Sequence, residues 1–118
     1  MILGDLLAVN YWECPPEKIR RGVFLTPRFA EVVASVGLEV LRTTWHDFDG
    51  GGATGFVIVG ASHAAYHSYW QQGLVIVQVY SCGPDPTPLV EKLAPVFYSK
   101  RHEWQLIRGK PLPPPVAA

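Results

Sequence analysis

Two cysteines, Cys14 and Cys82, are all the chain has, and they form neither a CxxC pair nor a zinc-ribbon spacing. A disulfide framework and a cysteine-rich metal module are therefore excluded. Charge of one sign is also lacking. Ten basic and ten acidic residues balance, so no strong field draws the chain to nucleic acid or to an anionic membrane. Long hydrophobic runs are absent as well: Met1 to Val9 is apolar but broken by Gly4 and Asp5, too short to span a bilayer and unlike a signal peptide. The expectation is a cytoplasmic protein with reduced thiols and neither a nucleic-acid nor a membrane partner. Its 118 residues suffice for one small core and not for two.

What is present reads as alternating apolar segments. Met1–Val9 predicts a first strand, and Asn10–Arg21, with Pro15-Pro16 and clustered charge, a loop. Thr26-Pro27 has the form of a helix start, because threonine can cap and proline at the first helical position forfeits no hydrogen bond. Phe29, Val32, Val33 and Val36 then fall on one helical face, and Gly37 is a stop. Leu38–Phe48 predicts a second strand, and Asp49-Gly-Gly-Gly52 a flexible turn. Thr87-Pro88 repeats the helix-opening device, with Leu89, Leu93, Val96 and Phe97 inward and Pro95 kinking or ending the helix. His102–Arg108 predicts a last strand. The proline-rich segment 110–118 cannot pair in a sheet and reads as a mobile tail after a single domain spanning 1–109. The order β-α-β-β-β-α-β implies an α+β, two-layer sandwich, a mostly antiparallel sheet with two helices on one face. One helix layer leaves the other face or a sheet edge uncovered, which points to a homodimer.

Chemistry-bearing residues concentrate between Thr54 and Cys82. Two strand-like runs, Thr54–Val59 and Leu74–Tyr80, flank what reads as a polar turn containing Ser62, His63, His67 and Ser68. Pairing those two runs would gather a hydroxyl, two imidazoles, a thiol and Thr54 at one site. The spacing His63-x-x-x-His67 would put both imidazoles on one helical face for zinc, against the plainer reading of partly buried, satisfied histidines. Gly60-Ala-Ser-His-Ala64 brushes against the G-x-S-x-G nucleophile elbow, but that motif belongs to a much longer α/β fold. No metal is expected.

The same stretch resembles the prokaryotic S-adenosylmethionine decarboxylase family. The family's processing region reads S-G, a strand, E-S-H-x-x-x-H-T-W-P-E-Y-G, a strand, and T-C-G. Thr54-Gly55, Ser62-His63, His67-Ser68, Gly73 and Ser81-Cys82-Gly83 match it without a gap, and Gly4-Asp5-Leu6 and Trp45-His46-Asp47-Phe48 match upstream segments. Two positions depart: Ala61 stands for the glutamate before the serine, and Gln71 for that of W-P-E. The resemblance implies a dimeric, self-processing enzyme that acts on a small amino-acid-type substrate, S-adenosylmethionine by default, for spermidine synthesis. It further implies cleavage between Ala61 and Ser62, with Ser62 becoming a pyruvoyl group, Thr54 and His67 assisting, and Cys82 donating a proton. Phe48 stands where the family stacks a ring on adenine, and Gln71 where it holds the ribose.

The chemistry agrees with that assignment. Decarboxylating an α-amino acid requires an electron sink conjugated to the amine. With lysine only at 18, 92, 100 and 110 and no evident phosphate cradle, nothing here marks a pyridoxal phosphate site. A serine in a strained turn, with a proton-transfer residue nearby, can instead generate a ketone from the chain itself. The alternatives are an arginine or ornithine decarboxylase on the same scaffold, its distal cation held by Asp5, Glu13, Asp47 or Asp49, and a non-processing, inactive dimeric relative.

Overall fold

The structure is a computed structural model and describes residues 3–116. Six strands form one sheet: β1 (Asp5–Trp12), β2 (Arg42–Asp47), β3 (Ala53–Val59), β4 (Ser62–Tyr69), β5 (Leu74–Ser81) and β6 (Arg101–Ile107). Their order across the sheet is β2-β3-β4-β5-β1-β6, and every neighbouring pair is antiparallel. Two helices, α1 (Gly22–Ala34) and α2 (Leu89–Leu93), complete the two-layer α+β sandwich expected from the sequence. Alternation does the sorting. Leu7, Val9 and Tyr11 of β1, Val57 and Val59 of β3, and Val75, Val77 and Val79 of β5 are buried and form one core with Leu25, Phe29 and Val33 of α1 and Leu89 and Leu93 of α2. The opposite sheet face carries no helix among the described residues and leaves Phe56 and Ile58 about one-third exposed.

Four expectations need correction. The segment read as a polar turn is the strand β4, so the sheet has six strands rather than five. Its inward positions are Ala64, Tyr66 and Ser68, all buried, and the histidines fall on the bare face, so its period of two is hidden from a reading of hydrophobicity alone. As a result β4 separates β3 from β5, which were expected to pair. The first helix begins at Gly22, four residues before Thr26-Pro27. Its opening N–H, that of Gly22, is capped at 2.7 Å by the Asp47 carboxylate from the end of β2, and the Trp45 ring covers Gly22 where a Cβ would clash at 2.3 Å. Thr26 is buried inside the helix, with its hydroxyl 2.6 Å from that of Tyr66, and Pro27 simply forfeits one helical hydrogen bond. Thr87 does not cap α2 either, because its hydroxyl bonds the Asp85 carboxylate at 2.9 Å.

Other readings match the structure. Gly37 (φ +97°) follows the last turn of α1, and α2 gives way to a 3-10 turn, Ala94–Phe97, that contains Pro95. Gly50, Gly51 and Gly52 all have positive φ in the turn between β2 and β3. Strand β1 differs from the expected one: it runs from Asp5 to Trp12, taking in the first three residues of the segment expected to be a loop, and Met1 and Ile2 lie outside the described residues. Its start is tied to the far end of the chain. Gly109 N–H donates to Asp5 at 2.7 Å, Arg108 pairs with the same carboxylate at 3.2 Å, and Leu3 N–H donates to the Lys110 carbonyl. Residues 111–116 are exposed, but Pro111 forms a single bridge pairing, so the segment expected not to pair in a sheet does so at its start.

Candidate active site

The β3–β4 hairpin is the tightest feature of the sheet. Val59 pairs with Ser62, so only Gly60 and Ala61 form the loop. Gly60 has φ +69°, as two-residue hairpin turns with glycine at the first central position require. The Ala61–Ser62 peptide is therefore the exit of a two-residue turn. Ser62 is 6 % exposed, and its hydroxyl accepts a 2.9 Å hydrogen bond from the backbone N–H of Cys82, just beyond the end of β5. The Cys82 thiol is exposed and lies 3.9 Å from the Ala61 carbonyl oxygen. Gly4, ahead of β1, makes room for it, since a Cβ there would sit 2.9 Å from the sulfur. Next in sequence to Ser62, and on the opposite, bare face of the sheet, the His63 ring is stacked between Phe56 and Tyr80, 5.4 and 5.9 Å away.

A second cluster lies at the other end of β4. Thr54 and His67 are cross-strand partners, and the threonine hydroxyl is 2.9 Å from His67 Nδ1. They line a pocket of about 340 Å³ together with Phe48, Tyr69, Trp70 and Gln71. Trp70–Gln72 forms a 3-10 turn closed by Gly73 at φ +62°. Phe48 meets His46 edge-on, with ring centroids 4.9 Å apart. Ser68 fastens the pocket floor by accepting the Ala53 N–H at 2.8 Å.

The structure thus brings together Ser62, Cys82 and Ala61 at one end of the sheet, and Thr54, His67, Phe48 and Gln71 at the other. It does not gather all of them within one chain. Ser62 and His67 are five extended residues apart, roughly 16 Å. His63 and His67 share a face but stand roughly 13 Å apart along the strand, too far to bind one metal ion. Neighbours the sequence reading did not single out include Tyr80, Trp70 and Arg20. No local pattern marks them, because their roles arise from contacts between distant segments.

A single antiparallel sheet with one helical layer defines the class, a small two-layer α+β protein, here with a buried serine at the exit of a two-residue hairpin and a thiol near the preceding carbonyl. Comparison with known proteins narrows this. Residues 5–109 match the family described as S-adenosylmethionine decarboxylase. The S-adenosylmethionine decarboxylase proenzyme of Oceanobacillus iheyensis is 33 % identical over 108 residues, covering 90 % of this chain and 86 % of that protein. The proenzyme of Bacillus cytotoxicus is 30 % identical over 110 residues, 91 % and 85 % of the two chains. The crystal structure of the adenosylmethionine decarboxylase of Aquifex aeolicus superposes with a TM-score of 0.82 over 99 % of this chain and 98 % of that one, at 22 % identity. The chain belongs to the S-adenosylmethionine decarboxylase family.

Proposed function

We propose that this protein is a self-processing, pyruvoyl-dependent decarboxylase of S-adenosylmethionine, supplying the decarboxylated product for spermidine synthesis. The observation that carries the reading is the hairpin exit, where the Cys82 N–H holds the Ser62 hydroxyl and the Cys82 thiol faces the Ala61 carbonyl. Attack of Ser62 Oγ on that carbonyl carbon forms an ester and breaks the Ala61–Ser62 amide, freeing the serine nitrogen. Loss of the Ser62 α-proton then expels the Ala61 carboxylate by cleavage of the Cβ–Oγ bond. Hydrolysis of the resulting dehydroalanine releases ammonia and leaves a pyruvoyl group on the second fragment. The Cys82 thiol, 3.9 Å from the Ala61 carbonyl oxygen, supports the reading as a group that would stabilise charge growing there. No glutamate precedes Ser62, and in this reading Cys82 takes that duty.

A pyruvoyl group at position 62 supplies a carbonyl that conjugates with the substrate amine and accepts the electrons released with carbon dioxide. Cys82 then holds the proton to be returned to the α-carbon. His67, with Thr54 on its Nδ1, offers a second proton-transfer group, but not within reach of its own chain's Ser62. A homodimer supports both requirements. If two bare sheet faces stack about a two-fold axis with strands opposed, the Thr54–His67 end of one protomer meets the Ser62–Cys82 end of its partner, and Phe56 and Ile58 are covered. Phe48 then provides a ring for adenine and Gln71 an amide for the ribose.

The pocket itself favours S-adenosylmethionine over arginine or ornithine. None of its lining residues is a carboxylate, and three of the four candidates are engaged elsewhere: Asp5 with Arg108, Glu13 with Arg101, and Asp47 with the start of α1. The test is the intact mass of purified protein beside Ser62→Ala, with carbon dioxide release measured from S-adenosylmethionine, arginine and ornithine. Two fragments in the wild type, one chain in Ser62→Ala and release from S-adenosylmethionine are expected. A full-length wild type after long incubation would leave a non-processing relative, and release only from a basic amino acid would overturn the substrate.

A further inference from the structure

Behind the pocket lies a residue that touches both of its walls. Arg20 sits between the 3-10 turn Pro16–Lys18 and α1. Its guanidinium carbon lies over the Trp70 ring, 4.1 Å from the centroid, a contact that a planar guanidinium covers more fully than an ammonium. Its Nη2 donates to the Gly50 carbonyl at 2.8 Å, and Nη1 lies 3.4 Å from the Glu17 carboxylate. The Arg20 backbone carbonyl accepts the Gly52 N–H at 2.9 Å. One wall, the Phe48–Gly52 loop, is thereby fastened to the other, the Trp70–Gln72 turn, by one side chain.

The contact is close-fitting. A Cβ on Gly51 would stand 2.7 Å from Trp70 Nε1 and 2.9 Å from Arg20 Nε, so the loop backbone lies directly on the stacked pair. Arg20 Nε is itself buried without a hydrogen-bond partner, a burden on stability that the surrounding packing must offset. Three successive glycines otherwise leave the loop broad conformational freedom. Its only turn bonds of its own among the described residues are Gly51 N–H to the Phe48 carbonyl and Phe48 N–H to the Gly52 carbonyl. Phe48 is the first residue of that loop and Gln71 the centre of the facing turn, so the distance between them follows the Arg20 clamp.

We infer that Arg20 is a positioning residue for the substrate pocket, setting the gap between Phe48 and Gln71 into which the nucleoside part of the substrate enters. This rests on the reading of the pocket as the substrate end. It makes no contact with reacting atoms, so its removal acts on binding.

The test compares wild type with Arg20→Met and Arg20→Lys. Three measurements are made: KM and kcat for S-adenosylmethionine, the affinity for adenosine by calorimetry, and hydrogen exchange of the Phe48–Gly52 amides. Arg20→Met should raise KM and weaken adenosine binding about tenfold, with the change falling on KM more than on kcat, and the loop should exchange faster while β1 and β5 keep their protection. Arg20→Lys, which keeps a donor for Gly50 without the stacked plane, should lie between the two and serves if Arg20→Met folds poorly. Faster loop exchange with unchanged KM and adenosine affinity would reduce Arg20 to a structural brace and overturn the inference, as would a wild type without affinity for adenosine. A wild type that binds adenosine yet releases no carbon dioxide sinks the proposed function instead, and the adenosine and exchange data still decide for or against Arg20.

Discussion

Cys14 and Cys82 are the same side chain in opposite surroundings. Cys14 is 3 % exposed, with its sulfur 3.4 Å from the Tyr11 carbonyl, and Cys82 stands in solvent beside the hairpin. Burial pushes the Cys14 thiol from the usual 9.0 up to about 11, against the opposing pull of the Ser99 hydroxyl and the Val75 backbone. Burial likewise raises Tyr66 to about 12, outweighing its hydrogen bond to Thr26. These groups release protons at lower pH in the unfolded chain than in the folded one. Above about pH 9 the unfolded state therefore binds fewer protons, and stability falls as pH rises. Urea midpoints measured from about pH 8 to about pH 11 should decline, and Cys14→Ala should flatten the first part of the decline. Equal slopes in the two proteins would remove Cys14 from the explanation. At this scale Ser62, Cys82, Thr54 and His67 were marked by the spacing of the family they resemble, and the roles it implies for them belong to the proposed function. Arg20 was not, since nothing within the charged run Glu17–Arg21 distinguishes a clamped guanidinium from a solvated one.

Helix α1 shows why element boundaries were harder to read. Thr26-Pro27 carries the local chemistry of a start, yet the helix opens at Gly22 because its cap arrives from β2, twenty-five residues later in the chain. A cap supplied by tertiary contact leaves no signal next to the helix. Asp47→Ala should lower stability by about 1 kcal/mol, seen as a lower urea midpoint at an unchanged m-value. No loss would mean that the Trp45–Gly22 contact alone sets the start. Strand β4 failed for a different reason. Ala64, Tyr66 and Ser68 bury well but score as weakly apolar, so alternation was taken for a turn. Missing that one strand also misplaced the site, because β3 and β5 had been brought together across a gap that β4 fills. The long apolar strands β3 and β5 and the inward face of α2 were recoverable because their burial is written in large aliphatic side chains.

On the scale of the whole molecule, the proposed cut divides the sheet in an unusual way. The first fragment owns β1, β2 and β3, and the second β4, β5 and β6. Because the spatial order is β2-β3-β4-β5-β1-β6, strand β1 of the first fragment lies between β5 and β6 of the second. The halves are interleaved, and separating them means breaking the β3–β4, β5–β1 and β1–β6 ladders together. While the chain is continuous, a two-residue loop keeps β3 and β4 at a very high effective concentration. Once cut, the same pairing becomes an encounter between two molecules. Refolding of the processed protein from urea should therefore slow and lose yield as it is diluted, whereas Ser62→Ala should refold at a rate independent of concentration. Identical, concentration-independent refolding of both would contradict the cut or the interleaving. The hairpin at Gly60 and Ala61 thus gives the molecule a direction in time. If the proposed cut occurs, the chain has to fold before it is cut, and a cut copy that comes apart refolds less readily than an uncut one.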